Sequence, residues 1–269
     1  MFPSLNFILE YLTELFHSGF ATSSINVHRS MLSMTLEPIE GHKIGEHPLV
    51  VQLLKGCYNV KPPQPRYNSL WDPEVVLCYF SSLGPNDGLS LTLLSRKLAM
   101  LLALATISRV AEICSILYKS IKFSHSAVSF SFSRLKKSQH SGPLQSYVLP
   151  RFEGVNCPVA CLEAYLSATK EFRSNDNGTL FLSVRRPHNP ILSSTLGHWL
   201  KASLKDAGFN EFSAHSVRGA AASSAVSKGV SLKLVMESAN WKRESTFNRF
   251  YNRQLNSVPN AVLTQTSSR

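Results

Sequence analysis

The sequence predicts a mainly α-helical protein with a small antiparallel β-sheet, arranged as a short helical front domain and a larger second domain. Three observations carry this. Apolar residues recur at spacings of 3, 4 and 7 along most of the chain, the period of a helix buried on one face. The stretches Val128-Ser-Phe130-Ser-Phe132 and Gln145-Ser-Tyr147-Val-Leu149 instead alternate every second residue, as half-buried strands do. Between the first helices and the rest stands Pro62-Pro63-Gln64-Pro65, which favours extended backbone and a stiff connector. With 269 residues, 43% of them hydrophobic and 17% charged, the chain can bury a core and is no disordered or coiled-coil sequence.

The elements follow in order. Leu5, Ile8, Leu9, Leu12, Leu15 and Phe16 predict a first helix, stopped by Gly19. A second is expected from Thr22 or Ser23, both good N-caps, towards Pro38. A third follows His47-Pro48. Asp72-Pro73-Glu74 opens the next, with Asp72 as N-cap and Pro73 as first helical residue. Ser95 to Thr106 reads as the apolar helix at the centre of the second domain. After the hairpin, helical patterns cover Val159–Ala168, Ser194–Ala207, His215–Lys228 and Ser231–Ser238, and a last helix is expected from Thr246 to about Leu255. The domains are thus 1–60, a Pro-rich linker 61–66, a second domain 67–255 and a polar tail 256–269.

Charge narrows the partners. Lys and Arg number 28 against 17 Asp and Glu, a net charge of +11. Residues 1–60 carry Arg29, Lys43 and Lys55 against five glutamates, so the rest of the chain holds the whole excess. A basic surface spread over a folded domain suits a polyanion. Five cysteines without a dense framework point to a reducing compartment. Glu10 and Glu14 interrupt the N-terminal apolar stretch, so no signal peptide is expected, and the run Leu98–Ile107 is too short for a membrane span. The protein is expected to be soluble and intracellular, nuclear in a eukaryote.

Four places combine charge with order. Arg109, in Thr106-Ile-Ser-Arg109-Val-Ala-Glu112, ends the apolar helix; taken alone it is an i,i+3 ion pair with Glu112. His215 and Arg218 share a helix face and can address one anion, although a surface His and Arg would look the same. Tyr251 lies four residues from both Phe247 and Leu255, which is also the look of a core stripe. Lys136-Lys137 sits at the expected hairpin tip, where exposed lysines are ordinary. Cys157-x-x-x-Cys161 invites a zinc reading, but no companion His or Cys pair lies at ligand spacing, so the pair reads as buried and no metal site is expected.

Together, Arg109, Lys137, His215-x-x-Arg218, Trp241 and Tyr251 stand in the order of the catalytic domain of tyrosine recombinases, the phage integrase family, which this chain resembles over nearly its whole length. Lys61-Pro-Pro-Gln-Pro-Arg-Tyr67, Trp71-Asp-Pro and Phe247-Asn-Arg-Phe-Tyr251 look most like the recombinases of DIRS-type retrotransposons. There are departures. Ile107 stands where many relatives have Gly, Gly219 where many have a second His, and the Trp241-to-Tyr251 interval is about one residue longer. The front domain shows three helices where the family's core-binding domain commonly has four, so a truncated N-terminus is one reading.

The resemblance implies metal-free strand cleavage and rejoining, with no cofactor. Arg109 and Arg218 would clamp the non-bridging phosphate oxygens with guanidinium forks. Tyr251 would attack to give a 3′-phosphotyrosyl link; a tyrosine phenol ordinarily titrates at about pH 10, so it needs a positive pocket. His215 would accept that proton or hydrogen-bond the phosphate. Lys137 would protonate the leaving 5′ oxygen, with Lys136 as the alternative, and Trp241 would donate an N–H or buttress the site. Arg29, Lys136, Lys242 and Arg243 are the expected DNA contacts. The partners implied are double-stranded DNA and other recombinase protomers on it, with no membrane. A DNA-binding relic and a type IB topoisomerase-like enzyme remain the other readings.

Overall fold

The computed structural model describes residues 4–64, 66–133, 144–173, 178–241 and 244–256, with the side chains of Thr246, Arg249 and Phe250 outside that description. The chain forms two compact units, Met1–Arg66 and Tyr67–Arg269.

In the front unit three helices, α1 (Leu5–His17), α2 (Thr22–Thr35) and α3 (Pro48–Val60), bury Ile8, Leu12, Ile25, Val50 and Leu54 together with Ile44 from the intervening loop. Gly19 ends α1 at φ +87°, which favours a residue without a Cβ. The start of α2 departs from expectation. Ala21 occupies the N-cap and offers no side-chain bond, while Thr22 donates its hydroxyl to the Lys61 carbonyl at 3.4 Å. His47 caps α3 instead, its Nδ1 accepting from the Leu49 N–H at 3.3 Å.

The second unit is built around α5 (Leu91–Thr106), begun by Ser90 as N-cap rather than at Ser95. Its residues from Leu98 to Ala103 are all buried, and it packs against α7 (Pro158–Ala168), α8 (Ser193–Asp206) and α9 (Ser216–Ser227). The remaining helices are α4 (Pro73–Ser82), α6 (Val110–Cys114), α10 (Leu232–Ala239) and α11 (Glu244–Phe250). Asp72 caps α4 through its carboxylate, as the Asp-Pro-Glu sequence implies. Strands β2 (Lys122–Phe123), β3 (Ala127–Ser131) and β4 (Ser146–Pro150) form an antiparallel sheet, with Val128 opposite Leu149 and Phe130 opposite Tyr147. Val128, Phe130 and Phe132 turn inward, leaving the alternating serines less covered.

A second sheet was not visible in the sequence. Strand β1 (Ser69–Trp71) pairs in parallel with β5 (Gln254–Asn256), and the Asp72 N–H bonds the Asn256 carbonyl at 3.0 Å. The last helix therefore does not reach Leu255. It ends at Phe250, because the backbone beyond turns to meet β1. Among the described residues no helix is long and apolar enough to cross a membrane.

Candidate active site

The end of α5 sets the first arginine. Ile107 closes the helix in the left-handed conformation, φ +51°, and turns the chain through Ser108 to Arg109, the N-cap of α6. The Arg109 N–H bonds Glu112 Oε2 at 2.7 Å, and its Nη1 bonds Glu112 Oε1 at 2.7 Å. The i,i+3 ion pair is thus real. The arginine side chain is nevertheless 40% exposed; a pair so placed contributes at most about 1 kcal/mol to stability. What the carboxylate does is hold one edge of the guanidinium and leave other N–H groups for an outside anion.

The second arginine comes from α9. His215 is its exposed N-cap, and one turn on Arg218 is only 4% exposed. Arg218 Nη2 donates to the Ala239 carbonyl at the end of α10, and its carbon Cζ lies 5.0 Å from the centre of the Trp241 ring. Its Nε is buried without a hydrogen-bond partner among the described residues. Burial pushes the Arg218 pKa below the ordinary arginine value and Arg109 adds to this, whereas Tyr251, Glu112 and Tyr147 oppose it. Among the described residues that Nε–H is unmet, and an added anion would both accept from it and offset the like charge of Arg109. Arg109, His215 and Arg218 line one narrow crevice, together with Ser108 and Ala214.

The tyrosine follows α11. Its N–H still bonds the Phe247 carbonyl at 2.8 Å, but Tyr251 lies just past the helix. Its half-buried ring stacks on Trp241, with centroids 4.3 Å apart and planes 21° from parallel. Ser223 on α9 donates its hydroxyl to the Tyr251 carbonyl. Trp241, only 8% exposed, therefore touches both the Arg218 guanidinium and the Tyr251 ring.

Arg109, His215, Arg218, Trp241 and Tyr251 thus come together. Lys136, Lys137, Lys242 and Arg243 lie outside the described residues. Arg29 sits in the front unit on α2, where its Nε bonds the Gly45 carbonyl at 2.8 Å and its Nη1 bonds Asn26 Oδ1 at 3.2 Å. Cys157 and Cys161 are buried in the core, and burial drives the Cys161 pKa up to about 12, so Cys161 is no ready thiolate. Tyr165, also in the core, accepts from the Leu182 N–H at 2.9 Å. Residue types alone had not singled out Ser108 or the pair Gln145 and Tyr147. The one available signal was position: Ser108 precedes Arg109, and Gln145 and Tyr147 share a strand face.

The phage integrase family matches residues 90–257, well over half of the chain. No curated protein sequence matches it. Among solved structures, the fold is similar to an integrase of the transposon Tn1549 in complex with transposon right-end DNA, with TM-score 0.62 and 14% identity over 98% of this chain and 84% of that one. It is also similar to the XerH site-specific recombinase in a post-cleavage complex with palindromic difH substrate, with TM-score 0.60 and 14% identity over 99% and 72%. A third likeness is to a lambda integrase dimer bound to a core site, with TM-score 0.56 and 16% identity over 95% and 67%. The chain belongs to the phage integrase family, the tyrosine recombinases, and is an enzyme that breaks and rejoins DNA.

Proposed function

We propose that the chain cleaves and rejoins duplex DNA through a 3′-phosphotyrosyl link on Tyr251, and serves the integration or recombination of a mobile element of the DIRS type. The observation that carries the assignment of residues is the crevice in which Arg109, His215 and the buried, under-bonded Arg218 converge beside the Trp241–Tyr251 stack. Such a site wants a phosphate. Arg218 Nε–H and the free edge of Arg109 donate to the non-bridging oxygens, where charge grows in the transition state. The Tyr251 phenolate oxygen forms the new bond to phosphorus as the bond to the 5′ oxygen breaks. His215 takes the phenol proton or bonds the phosphate, and Lys137 or Lys136 returns a proton to the leaving oxygen. The link conserves the phosphodiester, so a 5′-hydroxyl from a second strand reverses the step. No metal ion is needed in this sequence of events.

The front unit acts as the core-binding domain, and protomers assemble on DNA; the lambda integrase dimer and tetramer bound to DNA support that arrangement by likeness of fold. The mobile-element reading rests on Lys61–Tyr67, Trp71-Asp-Pro and Phe247–Tyr251.

The test uses nicked suicide DNA from the element's terminal repeats and a denaturing gel that shows covalent adducts. Wild type is expected to form an adduct. Tyr251→Phe should fold, bind DNA and form none, losing at most a hydrogen bond of about 0.5–1.5 kcal/mol in stability. Adduct from Tyr251→Phe at wild-type yield would rule out this nucleophile, and none from wild type would favour a DNA-binding relic.

A further inference from the structure

Two hydroxyls at the site serve different groups. That of Tyr147, on β4, accepts from Ser108 Oγ at 3.1 Å and from Gln145 Nε2, and donates to the Ser238 carbonyl at 3.1 Å. Gln145 Oε1 accepts from Asn240 Nδ2 at 2.9 Å. These contacts adjoin Arg109 and the Ala239 carbonyl that receives Arg218. The other hydroxyl, that of Ser223, faces the tyrosine.

The Tyr251 carbonyl stands just past α11, where the last carbonyls of a helix have no partner within it. Ser223 supplies one. This residue of α9 is only 5% exposed; its hydroxyl donates to the Tyr251 carbonyl and accepts from the Arg253 N–H at 3.4 Å. It thus holds the chain at Tyr251 and two residues beyond, where β5 is about to begin at Gln254. Four residues before Ser223, on the same face of α9, Gly219 borders the Tyr251 ring. Arg218 comes next before it, so Ser223 lies about 7.5 Å along the helix from that arginine. One rigid helix therefore carries both the guanidinium that addresses the phosphate and the seat of the group that attacks it. A ring stacked on Trp241 can slide over its neighbour, whereas a hydrogen bond at the backbone does not survive lengthening by an ångström.

Resting on the function proposed above, we infer that Ser223 is a positioning residue for the nucleophile: its hydroxyl ties the Tyr251 backbone to the helix that carries Arg218, and so sets the reach from the phenol oxygen to the phosphorus. Ser223 touches no reacting atom. Its effect passes through Tyr251, and vanishes when another nucleophile does the attacking.

Hydrogen peroxide is such a nucleophile. One of its oxygens bonds to phosphorus as the bond to the 5′ oxygen breaks, and the proton it gives up balances the one that the 5′ oxygen gains. The strand is then cut with no protein attached. The full-length chain and Ser223→Ala are compared for adduct formation on nicked suicide DNA. Tyr251→Phe, with and without Ser223→Ala, is compared on the same DNA for cleavage by added peroxide. Ser223→Ala is expected to slow adduct formation by about tenfold to a hundredfold, the range for a misplaced reacting group. In the Tyr251→Phe background it should leave peroxide cleavage within about twofold, with DNA affinity unchanged. Equal slowing of both reactions would overturn the inference by placing the effect on the arginines or the fold, and a wild-type adduct rate from Ser223→Ala would overturn it outright. Should peroxide cleave with neither Tyr251→Phe protein, Ser223→Thr decides: it keeps the hydroxyl and is expected to restore the adduct rate, and a rate as slow as that of Ser223→Ala would overturn the inference. Should Ser223→Ala fail to fold, Ser223→Cys, a weaker donor, is held to the same outcomes. A wild type that forms no adduct would instead remove the proposed function, and the inference with it.

Discussion

Gly219, on α9 one residue after Arg218, leaves room for its neighbours. A Cβ added there would lie 3.0 Å from Leu70 Cδ1 and 3.4 Å from Tyr251 Cδ1. Leu70 is buried in β1 and yields little. Gly219→Ala is therefore expected to press on the Tyr251 ring, costing about 1–3 kcal/mol of stability as an overpacked site and slowing adduct formation about tenfold or more. Thermal melting and adduct rate read the two effects; an unchanged rate would mean that the leucine absorbs the whole displacement. The sequence showed only that Gly219 replaces a second His. Its reason lies in β1, some 150 residues earlier in the chain, and no local pattern carries it. Ile107 is the converse case. A β-branched residue in the left-handed region costs roughly 1–2 kcal/mol, but Ile107 is buried with Ala221, Trp241 and Phe247. Burial of such a side chain contributes about 1.5–3 kcal/mol, which offsets the strain and explains how the turn dispenses with glycine.

Among the elements, long periodic helices and the alternating hairpin were legible because one face of each is buried over many residues. The three-residue strands β1 and β5 were not, since two periods of alternation cannot be told from chance. That shortfall misread the end of the chain: Phe247, Tyr251 and Leu255 at intervals of four suggest one helix, whereas Leu255 belongs to a strand opposite Leu70. Tyr251 is thus held between α11, its Trp241 stack and β5. Leu255→Pro should break the β1–β5 pairing, since proline has no N–H and fixes its own φ. Adduct formation is expected to fall by about tenfold or more while DNA affinity in a filter-binding assay stays near wild type. Full adduct yield would show that α11 and Trp241 place the tyrosine unaided. The five residues that converge were singled out by order and residue type, but the residues packed around them were not. Ser108, Gln145 and Tyr147 are ordinary polar residues that acquire meaning only where three segments cross.

For the molecule as a whole, stability and charge separate. The basic excess lies beyond residue 60 and was plain from counting. The core holds a charge that counting could not place: Lys97 on α5 is fully buried, and its Nζ has no hydrogen-bond partner among the described residues. Burial lowers its pKa from the ordinary 10.5. Between the lowered value and 10.5 the unfolded chain binds more protons than the folded one, so this group makes stability rise with pH across that window. Lys97→Met should stabilise the protein by about 1–3 kcal/mol at neutral pH, and its advantage should shrink as pH approaches 10. Denaturant midpoints of the two proteins across pH 7 to 10 measure the difference, which cancels the other titrating groups. A variant less stable than wild type at pH 7 would show that the amine contributes favourably.

The pairing of β1 with β5 also orders events in time. Ser69 and Asn256, whose side chains bond at 3.3 Å, are 187 residues apart. Closing so long a loop is among the slowest contacts a domain makes. Arg109 and Arg218 are placed by α5, α6, α9 and α10, all of which precede β5 on the chain. Arg109 and Arg218 can therefore take their places before β5 closes on β1 and fixes the chain that follows Tyr251.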